Sequence, residues 1–200
     1  MVYFFIKVIK HGISLLKTIR LRLFTRNLKL GKSVIIYYKS RIYNFSKGEI
    51  LVGSNSRIGS SSIQNHVGMP FYTRLINDGI KSTIVIGEGC RINGAYIHAK
   101  ERITIGDRCV IASGVNIIDS NGHEVYSLDR TSGTDEPSPI IIGNNVWIGV
   151  NATILKGTNI DDNCVVSAGS VVKGVFPSNS IIQGNPAKVV KTIEIEKNAD

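Results

Sequence analysis

His123 lies in the most polar stretch of the chain, DSNGHEVYSLDRTSGTDEPSP (residues 119–139), four residues after Asp119 and directly before Glu124. The free base of an imidazole is well populated near neutral pH, so a histidine with a carboxylate in reach can take the proton of a hydroxyl. A lone loop histidine is more often plain surface, and only its setting decides between the two. Other candidates are few. Cys90, Cys109 and Cys164 are an odd number with no C-x-x-C pair, which argues against a disulfide framework and against structural zinc. They read as small buried thiols in a reducing, cytoplasmic compartment. His66, His98 and His123 are too widely spaced for a zinc-binding set, so no metal is expected.

What must position His123 is a repeat. Ile142, Ile148, Ile154, Ile160, Val166 and Val172 recur every sixth residue. A period of six is neither that of a helix nor that of an alternating strand. It fits a solenoid whose flat sides are each one hexad long, three to a coil, with aliphatic side chains stacked inward. The register returns upstream at Leu30, Ile36 and Ile42, at Val52 and Ile58, at Ile86 and Ile92, and at Ile105, Ile111 and Ile117. The fifth place of each unit tends to be small or aliphatic: Val34, Cys90, Cys109, Val115, Val146, Ala152, Thr158, Cys164, Ser170. Gly106, Asn144, Asn145, Gly157, Asn163 and Gly169 fall between the aliphatics, where corners need positive φ. The pattern breaks at 43–50, 64–83 and 119–139. The last lies between two clean runs, so it must leave the stack and return, a natural place for chemistry.

Charge divides the chain. Residues 1–48 hold 11 Lys or Arg and no acid; residues 49–200 hold 13 basic and 15 acidic residues, a net of −2 against +9 for the whole. Nucleic acid is a poor partner for that body, and no reading motif is present. In residues 1–29, Phe5, Val8, Ile9, Leu15, Leu16, Ile19 and Leu23 recur near helical spacing among Lys7, Lys10, Lys17, Arg20 and Arg22. This predicts a basic amphipathic helix that either lies on an anionic membrane surface or packs against the first coils or a neighbouring subunit. No apolar run reaches the ~20 residues of a span, and the order of charge and apolar residues is not that of a signal peptide.

The hexads, the Asp119-to-His123 segment, the Ile142–Gly149 run IGNNVWIG and the Gly184-Asn185-Pro186-Ala187-Lys188 ending together resemble the hexapeptide-repeat acyltransferases of the sugar O-acetyltransferase type. The resemblance covers residues 84–192 well and 30–63 as a degraded repeat. It implies an all-β fold, a left-handed parallel β-helix over 30–192 with insertions at 64–83 and 119–139; it does not reach residues 1–29, whose helix is read from spacing alone, and a tail follows at 193–200. It implies acetyl transfer from acetyl-CoA to a sugar hydroxyl, with His123 as general base oriented by Asp119 or Glu124; the basic helix points to a lipid-linked saccharide as acceptor, as in capsule or O-antigen assembly. Asn121 stands where the family has a second acid. Gly149 or its neighbour would supply the oxyanion N–H; Ala168 would line the pantetheine arm; Lys173, Lys188 and Lys191 would meet the coenzyme phosphates, Lys173 one place from the family's lysine. Asn93 and Trp147 would face the acceptor, although corner and outer-wall roles serve them equally. A homotrimer with the site between neighbours is implied, located in the cytoplasm or at the inner membrane face. Competing readings are acetylation of an antibiotic hydroxyl and a non-catalytic solenoid subunit of a polysaccharide-synthesis complex.

Overall fold

The computed structural model describes the backbone of residues 2–59 and 71–194, and the side chains of all of these but residues 2–5 and 7. His66, Met69 and Pro70 of the second pattern break, and the tail from residue 195, lie outside the described residues. Helix α1 (Val2–Phe24) precedes a stack of short strands sorted into three sheets of seven, eight and six. Each coil but the last gives one strand to each sheet, so the chain winds around a three-sided prism. One coil serves as the template: Arg102–Ile105 on the first face, Val110–Ile111 on the second and Asn116–Ile118 on the third. Neighbouring coils pair in parallel on every face.

The hexad register is the core. Ile86, Ile105, Ile142 and Ile160 stack on the first face; Ile92, Ile111, Ile148 and Val166 stack on the second. Ile97, Ile117, Ile154 and Val172 stack on the third. All twelve are buried to 1% exposure or less. The nine fifth-place residues are buried as well. Each thiol points at a carbonyl of the next coil, with Cys90 Sγ 3.1 Å from Gly106 O and Cys109 Sγ 3.1 Å from Gly143 O. Burial pushes the Cys164 thiol above its ordinary value, so it is no nucleophile at neutral pH.

The corners divide the labour more finely than composition implies. Asn145, Asn163, Gly157 and Gly169 take positive φ. Gly106 and Asn144 do not. A Cβ on Gly106 would meet the Gly143 backbone at 2.7 Å, so this glycine allows close stacking. Asn144 belongs to a ladder between the first and second faces. Asp107 Oδ1 accepts the Glu88 N–H at 2.8 Å, Asn144 Oδ1 the Asp107 N–H at 2.8 Å, and Asp162 Oδ1 the Asn144 N–H at 2.6 Å.

Two elements depart from the hexad reading. Arg74–Asn77, expected inside a loop, is a strand of the third face between Arg41–Asn44 and Tyr96–Ala99. Its inward residues are Leu75 and a buried Asn77, which donates to Ser82 O at 2.8 Å and Asn44 Oδ1 at 3.0 Å. A polar residue in the aliphatic place hides the repeat. On Tyr96–Ala99 the register slips by one: Ile97, not His98, points inward. The last strand, Ala187–Thr192, folds back antiparallel on Ser180–Gly184 and closes the stack.

Candidate active site

The loop 119–139 leaves the prism at the corner between the third and first faces, after Asn116–Ile118 and before Ile140–Ile142. Asp119 is its root. The carboxylate is fully buried and accepts the backbone N–H groups of Lys100 at 2.7 Å, Glu101 at 2.8 Å and Arg102 at 2.9 Å, while its carbonyl accepts the Ser138 N–H at 2.8 Å. No hydrogen bond joins Asp119 to His123 among the described residues. Both its oxygens close the turn of the coil below, and it pins the two ends of the loop rather than the imidazole. Glu124 Oε1 accepts the Tyr126 N–H at 3.2 Å within the loop. His123 itself is exposed, and its ring makes no hydrogen bond among the described residues.

The segment before His123 is held firmly. Asp135 is buried and accepts Ser120 Oγ at 2.7 Å, the Asn121 N–H at 2.7 Å, the Gly122 N–H at 3.1 Å and Lys156 Nζ at 2.7 Å. Burial pushes this carboxyl up, but the hydrogen bonds from Lys156, Asn121, Ser120 and Gly122 outweigh it and hold the pKa at about 2. Lys156 Nζ also donates to Glu136 O at 2.7 Å. Sequence reasoning singled out neither residue. One signal was there: Lys156 is the sole Lys or Arg between Arg130 and Lys173.

A cleft of about 450 Å³ opens at the loop's root, lined by Asp78, Lys81, Lys100, Ser120, Thr134 and Asp135 among others. Beside it lies a second imidazole. His98 Nε2 is 2.8 Å from Asp78 Oδ1, its Nδ1 is 3.3 Å from Tyr96 Oη, and Lys100 Nζ reaches Asp78 Oδ2 at 3.3 Å. Among the described residues His98, not His123, is the histidine with a carboxylate partner. The one-residue slip that turns it outward was not legible from the hexads.

The remaining candidates fall on other edges. Asn93, Gly149 and Ala168 share the corner between the second and third faces. Asn93 donates its N–H to Ile111 O at 2.9 Å; its half-buried amide makes no hydrogen bond among the described residues, and the positive φ beside it belongs to Gly94. Gly149 donates its N–H to Val166 O at 2.8 Å. The stack thus uses the N–H expected to meet the oxyanion, and its neighbour Val150 is the other candidate for that place. What Gly149 supplies is closeness: a Cβ there would meet the Ala168 N at 2.7 Å. Trp147 is 54% exposed on the outer side of the second face. Lys188 and Lys191 project from the closing strand beside the same face, opposite Gln183 and Ile181. Lys173 is exposed on the loop's own corner, apart from the other two lysines. No group of three or more His, Cys, Asp or Glu able to hold a metal is found among the described residues.

The repeat profile "Hexapeptide repeat of succinyl-transferase" matches residues 139–173, which include the Ile142–Gly149 run. "Putative acetyltransferase YJL218W" of Saccharomyces cerevisiae is 36% identical over 137 residues, 68% of this chain and 67% of that one. "Putative lipopolysaccharide biosynthesis O-acetyl transferase WbbJ" of Escherichia coli K12 is 38% identical over 121 residues, 56% of this chain and 61% of that one. Among solved structures, a galactoside acetyltransferase in complex with coenzyme A superposes with a TM-score of 0.51 at 28% identity, over 78% of this chain and 66% of that one. The chain belongs to the hexapeptide-repeat acetyltransferases, and its prism is their left-handed parallel β-helix. It spans less than two thirds of WbbJ.

Proposed function

We propose that this chain transfers an acetyl group from acetyl-CoA to a sugar hydroxyl in the building of a capsular or O-antigen polysaccharide. The observation that carries the reading is the clamp on the His123 loop. An exposed imidazole stands next to Ser120–Gly122, which the buried Asp135 and Lys156 tie to a rigid coil. Relatives of this architecture are named O-acetyltransferases of lipopolysaccharide and of galactosides.

In the proposed reaction His123 takes the hydroxyl proton as the sugar oxygen attacks the thioester carbonyl. The tetrahedral oxyanion needs an N–H donor; with Gly149 engaged, the neighbouring Val150, whose N–H makes no hydrogen bond among the described residues, is the group we assign. Collapse breaks the carbon–sulfur bond, and the imidazolium returns its proton to the leaving coenzyme A thiolate. Lys188 and Lys191 would meet the coenzyme's phosphates as point charges, and Asn93 would offer its free amide to the acceptor.

The placement of the corners supports a homotrimer. The His123 loop leaves one corner, and Asn93, Gly149 and Ala168 occupy the next, one side of roughly 20 Å away. A neighbouring copy that sets its loop corner against this groove would bring the two sets together, and three such contacts close a ring. It would also place Lys173 of one chain near Lys188 and Lys191 of another. The test is release of free thiol from acetyl-CoA by the purified chain with a panel of saccharides. No release with any of them, and no protection from heat by acetyl-CoA, would favour a non-catalytic subunit.

A further inference from the structure

Helix α1 is turned inside out. Its polar side faces the prism: Thr18 Oγ1 accepts the Ile36 N–H at 2.9 Å, and Ser14 Oγ accepts the Tyr38 N–H at 3.2 Å. Lys17 Nζ donates to Tyr38 O at 2.9 Å and to Ser40 O, and Arg22 donates to Gly31 O at 2.7 Å. These bonds satisfy the open backbone edge of the first coil, which would otherwise pair with another chain. Of the described side chains of the helix, Leu21 alone packs against the core cluster.

The other half of the helix is apolar and bare. Ile6, Val8, Ile9, Ile13, Leu15, Leu16, Ile19, Leu23 and Phe24 are all exposed, Leu16 to 70% and Phe24 to 80%. At 100° per residue they fill one half-turn of the wheel, interrupted by Gly12 and Arg20. An apolar face about 27 Å long, from Ile6 to Phe24, does not stay in water. Beside it runs a groove of about 680 Å³ whose walls include Ile13, Leu16 and Phe24 and whose cations include Arg20 and Arg41. Arg20, Arg26, Lys32 and Arg41 have no acidic partner among the described residues. With no acid anywhere in residues 1–48, a second copy laid on this face would bring cation against cation.

We infer that α1 binds an anionic phospholipid bilayer, its apolar half sunk among the acyl chains and Arg20 and Arg41 on lipid phosphates. No helix among the described residues is long and apolar enough to cross a membrane; this one lies in the interface, where a basic helix of this length gains from both apolar burial and lipid charge. The stack then stands on the membrane by its first coil, and a lipid-linked saccharide is the acceptor within its reach. That last step rests on the proposed acetyl transfer; the lipid contact does not.

The test uses the full chain and sedimentation with vesicles of phosphatidylcholine alone or with about one part in four phosphatidylglycerol. The chain should pellet with the anionic vesicles and release as salt rises. Leu16→Glu with Ile19→Glu should weaken binding at least tenfold, and so should Arg20→Glu with Arg41→Glu, with no change in melting temperature for the helix-face pair. Equal pelleting with neutral vesicles, or no effect of the arginine pair, overturns the anionic site. Failure to pellet together with a mass that falls on Leu16→Glu assigns the face to a second copy instead. Turnover is not read, so failure of the acetyl-transfer reading would leave this result standing.

Discussion

Lys156 Nζ donates to Asp135 Oδ2 at 2.7 Å, and that carboxylate receives the backbone N–H groups of Asn121 and Gly122 just before His123. One ion pair, rooted in a coil, thus sets where the loop's imidazole begins. Lys156→Met removes the cation and leaves a buried carboxylate held by neutral donors, a loss of about 2 kcal/mol. Turnover should fall about tenfold while KM for acetyl-CoA holds, because the loop moves and the coenzyme side does not. A fall in coenzyme affinity of the same size would place the clamp on the wrong side of the site.

The same pair predicts an acid response. Asp135 titrates at about 2 in the folded chain, below the ordinary carboxylate value. A depressed folded pKa means that the unfolded chain binds the proton first as pH falls. The stabilisation is complete above roughly pH 5 and fades as pH drops through 4 toward 2. Amide exchange at 119–139 should rise across that window, and Asp135→Asn should flatten the rise. An unchanged profile in the variant would show that the loop is held by something else.

Two imidazoles compete for the role of base. His123→Ala should lower kcat by about 10² to 10⁴. His98→Ala should cost less than tenfold, because His98 is tied to Asp78 at the foot of the cleft. The reverse order would move the base to the His98–Asp78 pair. That pair also exposes a limit of the sequence. Hexads place Ile92 and Ile105 without error, but the slip that buries Ile97 and turns His98 outward lies between them. The stack was legible because identical aliphatic places recur and nothing else meets a period of six. Arg74–Asn77 was not, because Asn77 holds an aliphatic place, its amide nitrogen donating to Ser82, Asn44 and Glu49 while its Oδ1 finds no partner among the described residues. The loop was legible as an interruption, whereas its clamp joins residues 21 apart with no local pattern. In α1 the spacing told which residues share a face but not which face the prism would take, since polar caps on an open strand edge outweighed apolar contact.

Ile148 and Trp147 are neighbours on one short strand with opposite surroundings: Ile148 is fully buried and Trp147 is 54% exposed. Ile148→Ala should cost about 3 kcal/mol of unfolding free energy. Trp147→Ala should cost under about 1 kcal/mol and act, if it lines the acceptor site, on KM for the sugar. Denaturant titration separates the two. Equal losses would mean that the outer wall carries as much of the fold as the stack.

His123 and Asn93 stand at different corners of one prism, so the assignment to a shared site is a statement about two chains. Inactive His123→Ala and inactive Asn93→Ala chains, unfolded together and refolded as mixtures, decide it. A site between neighbours is intact wherever the Asn93→Ala chain lends its histidine and the His123→Ala chain lends its asparagine. At equal amounts, random assembly of a ring makes about a quarter of all interfaces of that kind. Mixtures should therefore recover about a quarter of the native rate, while either variant refolded alone stays inactive. If both residues served one site within a chain, every site would carry one lesion or the other, and no mixture would recover anything.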